Sequence, residues 1–182
     1  MSSTPPDNRA RPARVRGFTL IELVAVLFII GVMAAFAVIA MGDGGHDRIM
    51  EQEARRLASL LELVRDEGIL SGETQAVGFT RQGYVFLRQY RVDERSYEWL
   101  PVEDDRVLRP RDVADRNLEF TLYVEGVAVT LPRATDRPPP HVYLGLAGEM
   151  TPFQLDIAPE GGRTAAWQVR SLPGGRVEMR RP

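Results

Sequence analysis

Leu23 to Met41 are nineteen consecutive residues without a charged or strongly polar side chain. The apolar segment is longer still, from Phe18 to Met41, interrupted only by Thr19 and Glu22. At 1.5 Å per residue it makes about 36 Å of helix, enough to span the hydrocarbon core of a bilayer. Glu22 lies at the edge of the run. A carboxylate in lipid costs roughly 2.5–3.5 kcal/mol at a helix centre, so its presence there asks for a reason. Two readings are open at this point. One is a single-span anchor with an interfacial acid, and the other is a helix whose acid has a specific partner.

The flanks set the orientation. Residues 1–17 carry Arg9, Arg11, Arg14 and Arg16 against Asp7 alone, and Pro5, Pro6 and Pro12 oppose a helix there. The basic flank holds this end in the cytoplasm. A secretory signal peptide has a shorter apolar core followed by a small-residue cleavage site. Neither is found here, so the apolar segment stays attached as an anchor. The attractive cleavage point is on its cytoplasmic side, between Gly17 and Phe18.

Beyond the run, Gly42-Asp43-Gly44-Gly45 favours a break or flexible joint in the helix. No strand precedes it and no Gly-Lys-Ser/Thr follows, which argues against a phosphate-binding loop. Met50, Ala54, Leu57, Leu61 and Val64 then recur at spacings of four and three, one stripe of a helix that faces a core. Glu51, Glu53, Arg55, Arg56, Glu62, Arg65 and Asp66 are placed mostly on the opposite, solvated face, and Gly72 as the C-cap.

After Gly72 the period becomes two. Val77 and Phe79 open a strand, Gln82-Gly83 turns, and Tyr84 to Tyr90 form a second strand, apolar on both faces at first. Tyr97 and Trp99 lie on a third, ended or placed at an edge by Pro101. Val102 to Asn117 is charged and reads as a solvated loop. Its acids at 103–105 lack calcium-loop spacing. Leu118 to Val124 alternate as a half-buried strand, and Val127, Val129 and Leu131 form its partner after Gly126. Pro138-Pro139-Pro140 reads as an extended surface loop. Strands around Val142–Leu146, Phe153–Ile157, Trp167–Val169 and Val177–Met179 complete an antiparallel meander with glycine turns. The expected fold class is α+β, with one long N-terminal helix packed on a C-terminal antiparallel sheet domain.

Composition removes several functions. There are no cysteines, which excludes disulfides, Cys-ligated zinc and thiol nucleophiles. The net charge of −2 and the interleaving of arginines with acids oppose nucleic-acid binding. His46 and His141 belong to no metal or triad spacing. The aromatic group Tyr84, Phe86, Tyr97 and Trp99 is read as strand packing before ligand stacking. No enzymatic activity, cofactor or metal is expected.

Arg16-Gly17-Phe18-Thr19-Leu20-Ile21-Glu22 resembles the processing motif of type IV pilins and type II secretion pseudopilins. Further along, Glu53 to Leu61, Arg65 to Gly72, Gly83-Tyr84-Val85-Phe86, Trp99-Leu100-Pro101 and Gly148 to Phe153 resemble the pseudopilin H (GspH) family. The family often has Ala where this chain has Gly68. Minor type IV pilins of the FimT/FimU kind share much of the pattern and are the alternative, in pilus assembly or DNA uptake. The resemblance implies a pilin-like fold, a cytoplasmic leader of residues 1–17 removed by prepilin peptidase, and N-methylation of Phe18. It implies a transmembrane and assembly helix over 18–41, an amphipathic continuation over 42–72, and a periplasmic β-rich domain over 73–182. Glu22 would pair with the Phe18 amino group of a neighbouring subunit. The implied place is the inner membrane and, after assembly, the tip of the pseudopilus. The implied partners are pseudopilins G, I, J and K, prepilin peptidase and inner-membrane lipid.

Overall fold

A computed structural model describes residues 20–162 and 164–182, with side chains throughout these ranges except at 37–44. The chain divides into two units, Met1–Gly42 and Asp43–Pro182. Helix α1 (Leu20–Ser71) is assigned without interruption, so the glycines at 42–45 do not end it as their φ freedom suggests. In the first unit the described apolar side chains from Leu20 to Phe36 face outward. Leu20, Phe28 and Phe36 are each more than two-thirds exposed. Among the described residues no helix is long and apolar enough to cross a membrane. The apolar run continues through 37–41, which lie outside the described side chains.

In the second unit, the stripe spaced by fours and threes is buried as its period requires. Met50, Ala54, Leu57, Leu61 and Val64 are at most 3% exposed and pack with Phe79, Phe86, Phe120 and Leu155 of the sheets. Gly72 follows the helix with φ 69°, a left-handed conformation that costs glycine least.

Two antiparallel sheets share that core. The first comprises β1 (Gln75–Thr80), β2 (Gly83–Arg91), β3 (Tyr97–Pro101), β4 (Arg111–Asp112) and β7 (Val142–Leu144), in the order β3-β2-β1-β7 with β4 paired to β2. The second comprises β5 (Leu118–Val124), β6 (Val127–Val129), β8 (Phe153–Pro159), β9 (Trp167–Ser171) and β10 (Val177–Arg180), in the order β10-β9-β8-β5-β6. Glu125 and Gly126 both have positive φ, the geometry that matches strand twist in a two-residue hairpin. The sheets are tied where Phe120 N–H donates to the Arg81 carbonyl (2.7 Å) and Arg81 N–H to that of Pro132 (2.8 Å).

The expected meander is corrected at one point. After β6 the chain leaves the second sheet and adds β7 to β1 of the first. The proline segment makes that crossing, and it is more than a surface loop. Pro138 is buried, and a side chain at Gly78 would collide with it at 2.8 Å. Leu146 lies beyond β7 and is 53% exposed, outside the core.

Two outcomes follow. Leu57→Ala should cost about 2–5 kcal/mol in urea unfolding, whereas Leu63→Ala, on the outward face, should cost under about 0.5 kcal/mol. The Phe79 N–H donates to His141 Nδ1 (2.9 Å), which requires the neutral ring, and burial holds the pKa of His141 below its ordinary value. The unfolded chain therefore takes up this proton first as pH falls. Stability should drop below about pH 6.5, and His141→Asn should flatten that slope in thermal melts.

Candidate functional site

The sequence places its processing and assembly residues at Gly17, Phe18 and Glu22. Gly17 and Phe18 lie outside the described residues. Glu22 stands in the first described turn of α1, exposed in the isolated chain. The surface it belongs to is the apolar one formed by Leu20, Ile21, Leu23 and Val24, all more than half exposed.

The second unit contains a charged centre that residue type alone misplaces. Glu53 is only 1% exposed, in the stripe and not on the solvated face. The signal is present in the sequence, since Glu53 falls three residues after Met50 and four before Leu57, which puts it on the buried side. Its Oε1 accepts from the Tyr84 hydroxyl (2.9 Å) and from Arg111 Nε (3.3 Å). Its Oε2 accepts from Arg111 Nη2 (3.0 Å) and Arg116 Nη1 (3.3 Å). A buried carboxylate is tolerated only when paired and hydrogen-bonded, and here both oxygens are occupied.

These partners explain why Val102 to Asn117, exposed along most of its length as a solvated loop would be, is nevertheless held to the core at particular residues. Leu108 and Val113 are at most 1% exposed, β4 pairs Arg111 with Tyr84, and a 3-10 turn (Ala114–Arg116) carries the second arginine. The backbone approaches so closely that a side chain at Gly83 would collide with the Arg111 carbonyl. Hydrogen bonding to Glu53 raises the pKa of Arg111. Burial, and then the Glu53 carboxylate, holds the Tyr84 phenol well above its ordinary range.

Two other acids of this connection act on local backbone. Asp105 Oδ1 accepts from the N–H groups of Val107 (2.6 Å) and Leu108 (3.2 Å), and Asp112 Oδ1 from that of Ala114 (2.8 Å). Among the described residues no group of His, Asp or Glu is arranged to hold a metal ion. A cleft of about 440 Å³ beside the Glu53 centre is lined by Gly83, Arg111, Asp112, Arg133 and Asp136, cations and acids interleaved.

Removing the carboxylate tests this centre. Glu53→Gln should cost about 3 kcal/mol, the lower end for breaking a buried pair, because both arginines keep some access to water. Tyr84→Phe should cost about 1.5–3 kcal/mol for a hydrogen bond to a charged group. The folded chain holds the Tyr84 proton that the unfolded chain releases near pH 10, so stability should fall as pH rises beyond that value. Melts of Tyr84→Phe should show a shallower alkaline decline.

Comparison with known proteins agrees with this architecture. A prokaryotic N-terminal methylation motif matches residues 12–38, and the family described as type II transport protein GspH matches residues 53–175. Type II secretion system protein H of Pseudomonas aeruginosa is 33% identical over 179 residues, covering 91% of this chain and 97% of the relative. Its counterpart from Klebsiella pneumoniae is 28% identical, covering 88% and 96%. The minor pseudopilin EpsH of Vibrio cholerae superposes with a TM-score of 0.61 at 22% identity, covering 73% of this chain and 96% of that one. The solution structure of Escherichia coli GspH gives 0.55 at 19% identity, with coverage of 78% and 94%. A helix carrying one buried stripe, two antiparallel sheets closed over it and a methylation motif ahead of them thus occur together, and the chain belongs to the GspH family of type II secretion pseudopilins.

Proposed function

We propose that this chain is a minor component of the type II secretion pseudopilus, seated in the tip complex with pseudopilins I, J and K, above the major pseudopilin. In that role it is a structural protein that supports export of folded proteins across the outer membrane and performs no catalysis of its own. The observation that carries the reading is the order of two matches in one chain, a methylation motif over 12–38 and the GspH family over 53–175.

The residue roles follow from charge and length. Prepilin peptidase removes residues 1–17 by cleavage after Gly17, and the new amino group of Phe18 is methylated. Residues 18–41 anchor the chain in the inner membrane, residues 42–72 continue the helix, and residues 73–182 form the periplasmic domain. Glu22 then lies at the edge of the hydrocarbon zone, where it pairs with the Phe18 ammonium of a neighbouring subunit. Each charge offsets the desolvation of the other. Such a pair also fixes axial register, as a polar group buried in a helix interface does. Gly31, Ala34, Ala35 and Ala37 let neighbouring helices approach closely.

Co-expression with prepilin peptidase should lower the mass by residues 1–17 and add one methyl group, and an unshifted mass would sink the processing role. Glu22→Leu should leave thermal unfolding of the second unit unchanged and reduce secretion to the level of a strain lacking the gene. Normal secretion by that variant would remove the pairing role.

A further inference from the structure

Where α1 ends on the first sheet, one buried side chain has no partner from the chain itself. Gln75 opens β1, is 1% exposed, and by strand alternation shares the core-facing side with Val77 and Phe79. Its neighbours across the sheet are Arg88 on β2 and Leu144 on β7. Among the described residues neither Gln75 Oε1 nor Gln75 Nε2 has a hydrogen-bond partner, and the same holds for Arg88 Nε. Glu53, Thr80 and Gln168 are buried too, and each accepts a hydrogen bond. Gln75 departs from the pattern that these three follow.

An amide buried without partners is less stable than an apolar side chain of the same shape. The missing partner therefore comes from outside the chain, and its chemistry is defined by what surrounds it. Arg88 Nη2 donates to Glu67 Oε1 (2.6 Å), and Glu73 Oε2 lies 3.8 Å from Arg88 Nε, near enough to attract but too far to bond. Two carboxylates beside one guanidinium repel an anion, and the guanidinium repels a cation. What has to be satisfied is one acceptor and two donor groups, which suits a neutral molecule that both donates and accepts. Gly68, buried near the end of α1, leaves the space. A Cβ there would lie 3.3 Å from the Glu73 carbonyl oxygen and 4.0 Å from Gln75 Nε2, so polar groups border that space. Water fits both the size and the bonding.

We propose that Gly68, Gln75 and Arg88 enclose a binding site for resident water, which donates to Gln75 Oε1 and accepts from Gln75 Nε2 and Arg88 Nε. The water joins the end of α1 to β1 and β2. It completes through solvent, at this end of the helix, what the Glu53 centre completes through charge. Gly68 acts by leaving room, because a side chain there competes for the same space. The site belongs to the fold of the second unit and does not depend on the secretion role.

The test uses the full chain in detergent micelles. Magnetisation transfer from water to the Gln75 side-chain amide and to Arg88 Nε–H should have opposite signs in the laboratory and rotating frames, the mark of a long-lived bound water. Equal signs, or no transfer to either group, overturn the proposal. Gln75→Met keeps the approximate shape and removes the amide. If the amide is bonded to water, this variant should lower the melting temperature by about 2–4 °C, followed by the fluorescence of Trp99 and Trp167, both in the second unit. A higher melting temperature would mean that the amide is unpaired, and overturns the site. Gly68→Ala separates displacement of water from crowding of the Glu73 carbonyl. Alanine favours a helix over glycine, so the change should raise the melting temperature in the Gln75→Met background. In the native chain, where it displaces the water, it should lower it. A shift of the same sign in both backgrounds overturns the proposal.

Discussion

The Glu53 carboxylate is where the helix, the first sheet and the long irregular connection are bound to one another. Its position in the apolar stripe means that it is dehydrated as soon as α1 packs on the sheets. A carboxylate in that place is stable only if donors arrive from elsewhere in the chain. They come from Tyr84 on β2, Arg111 on β4 and Arg116 on the 3-10 turn, separated from Glu53 by 31, 58 and 63 residues. The packing of Leu108 and Val113 and the pairing of β4 with β2 bring those donors into place. Packing and charge satisfaction are therefore one event in this domain.

That coupling explains what can be read from the sequence. Regular elements are legible because each carries a period: fours and threes from Met50 to Val64, twos in β5 and β8. The hairpin turn at Gly126 is legible because a positive φ selects glycine. The charged stretch 102–117 is not, because its order comes from a carboxylate far back in the chain, and composition reports only its polarity. Glu53 escapes for a related reason. Its charge argues for the solvated face, although its spacing alone places it in the stripe. The exit of β7 to the first sheet is hidden too, since alternation identifies a strand and says nothing of its neighbour. At the assembly end, sequence carries the whole case for Gly17 and Phe18, and the structure adds only that Glu22 sits in the first described helical turn.

The two units treat their apolar side chains in opposite ways. The second closes its stripe within the chain, against both sheets. In the first, the described large apolar side chains from Leu20 to Phe36 are all exposed. A chain that buries one apolar surface and presents another depends on something outside itself, lipid or neighbouring helices. The chain belongs to the GspH family, and in the role proposed above lipid and then neighbouring helices cover that surface in turn.

The same contrast separates two ways of placing a charge in apolar surroundings. Glu53 takes its cations from its own domain, so its pairing is completed on folding and stiffens the monomer. In the proposed assembly, Glu22 takes its cation from a neighbour, so that pairing is completed on association. The neighbour's ammonium offsets the desolvation that a carboxylate suffers among packed helices where it arrives at the same depth, which makes the pair a condition on register as well as a source of attraction. The difference lies in where the donors are encoded. Tyr84, Arg111 and Arg116 lie in the domain that folds onto Glu53, whereas the amino group proposed for Glu22 is created by cleavage next to an anchor that holds it at the depth of its neighbour's acid.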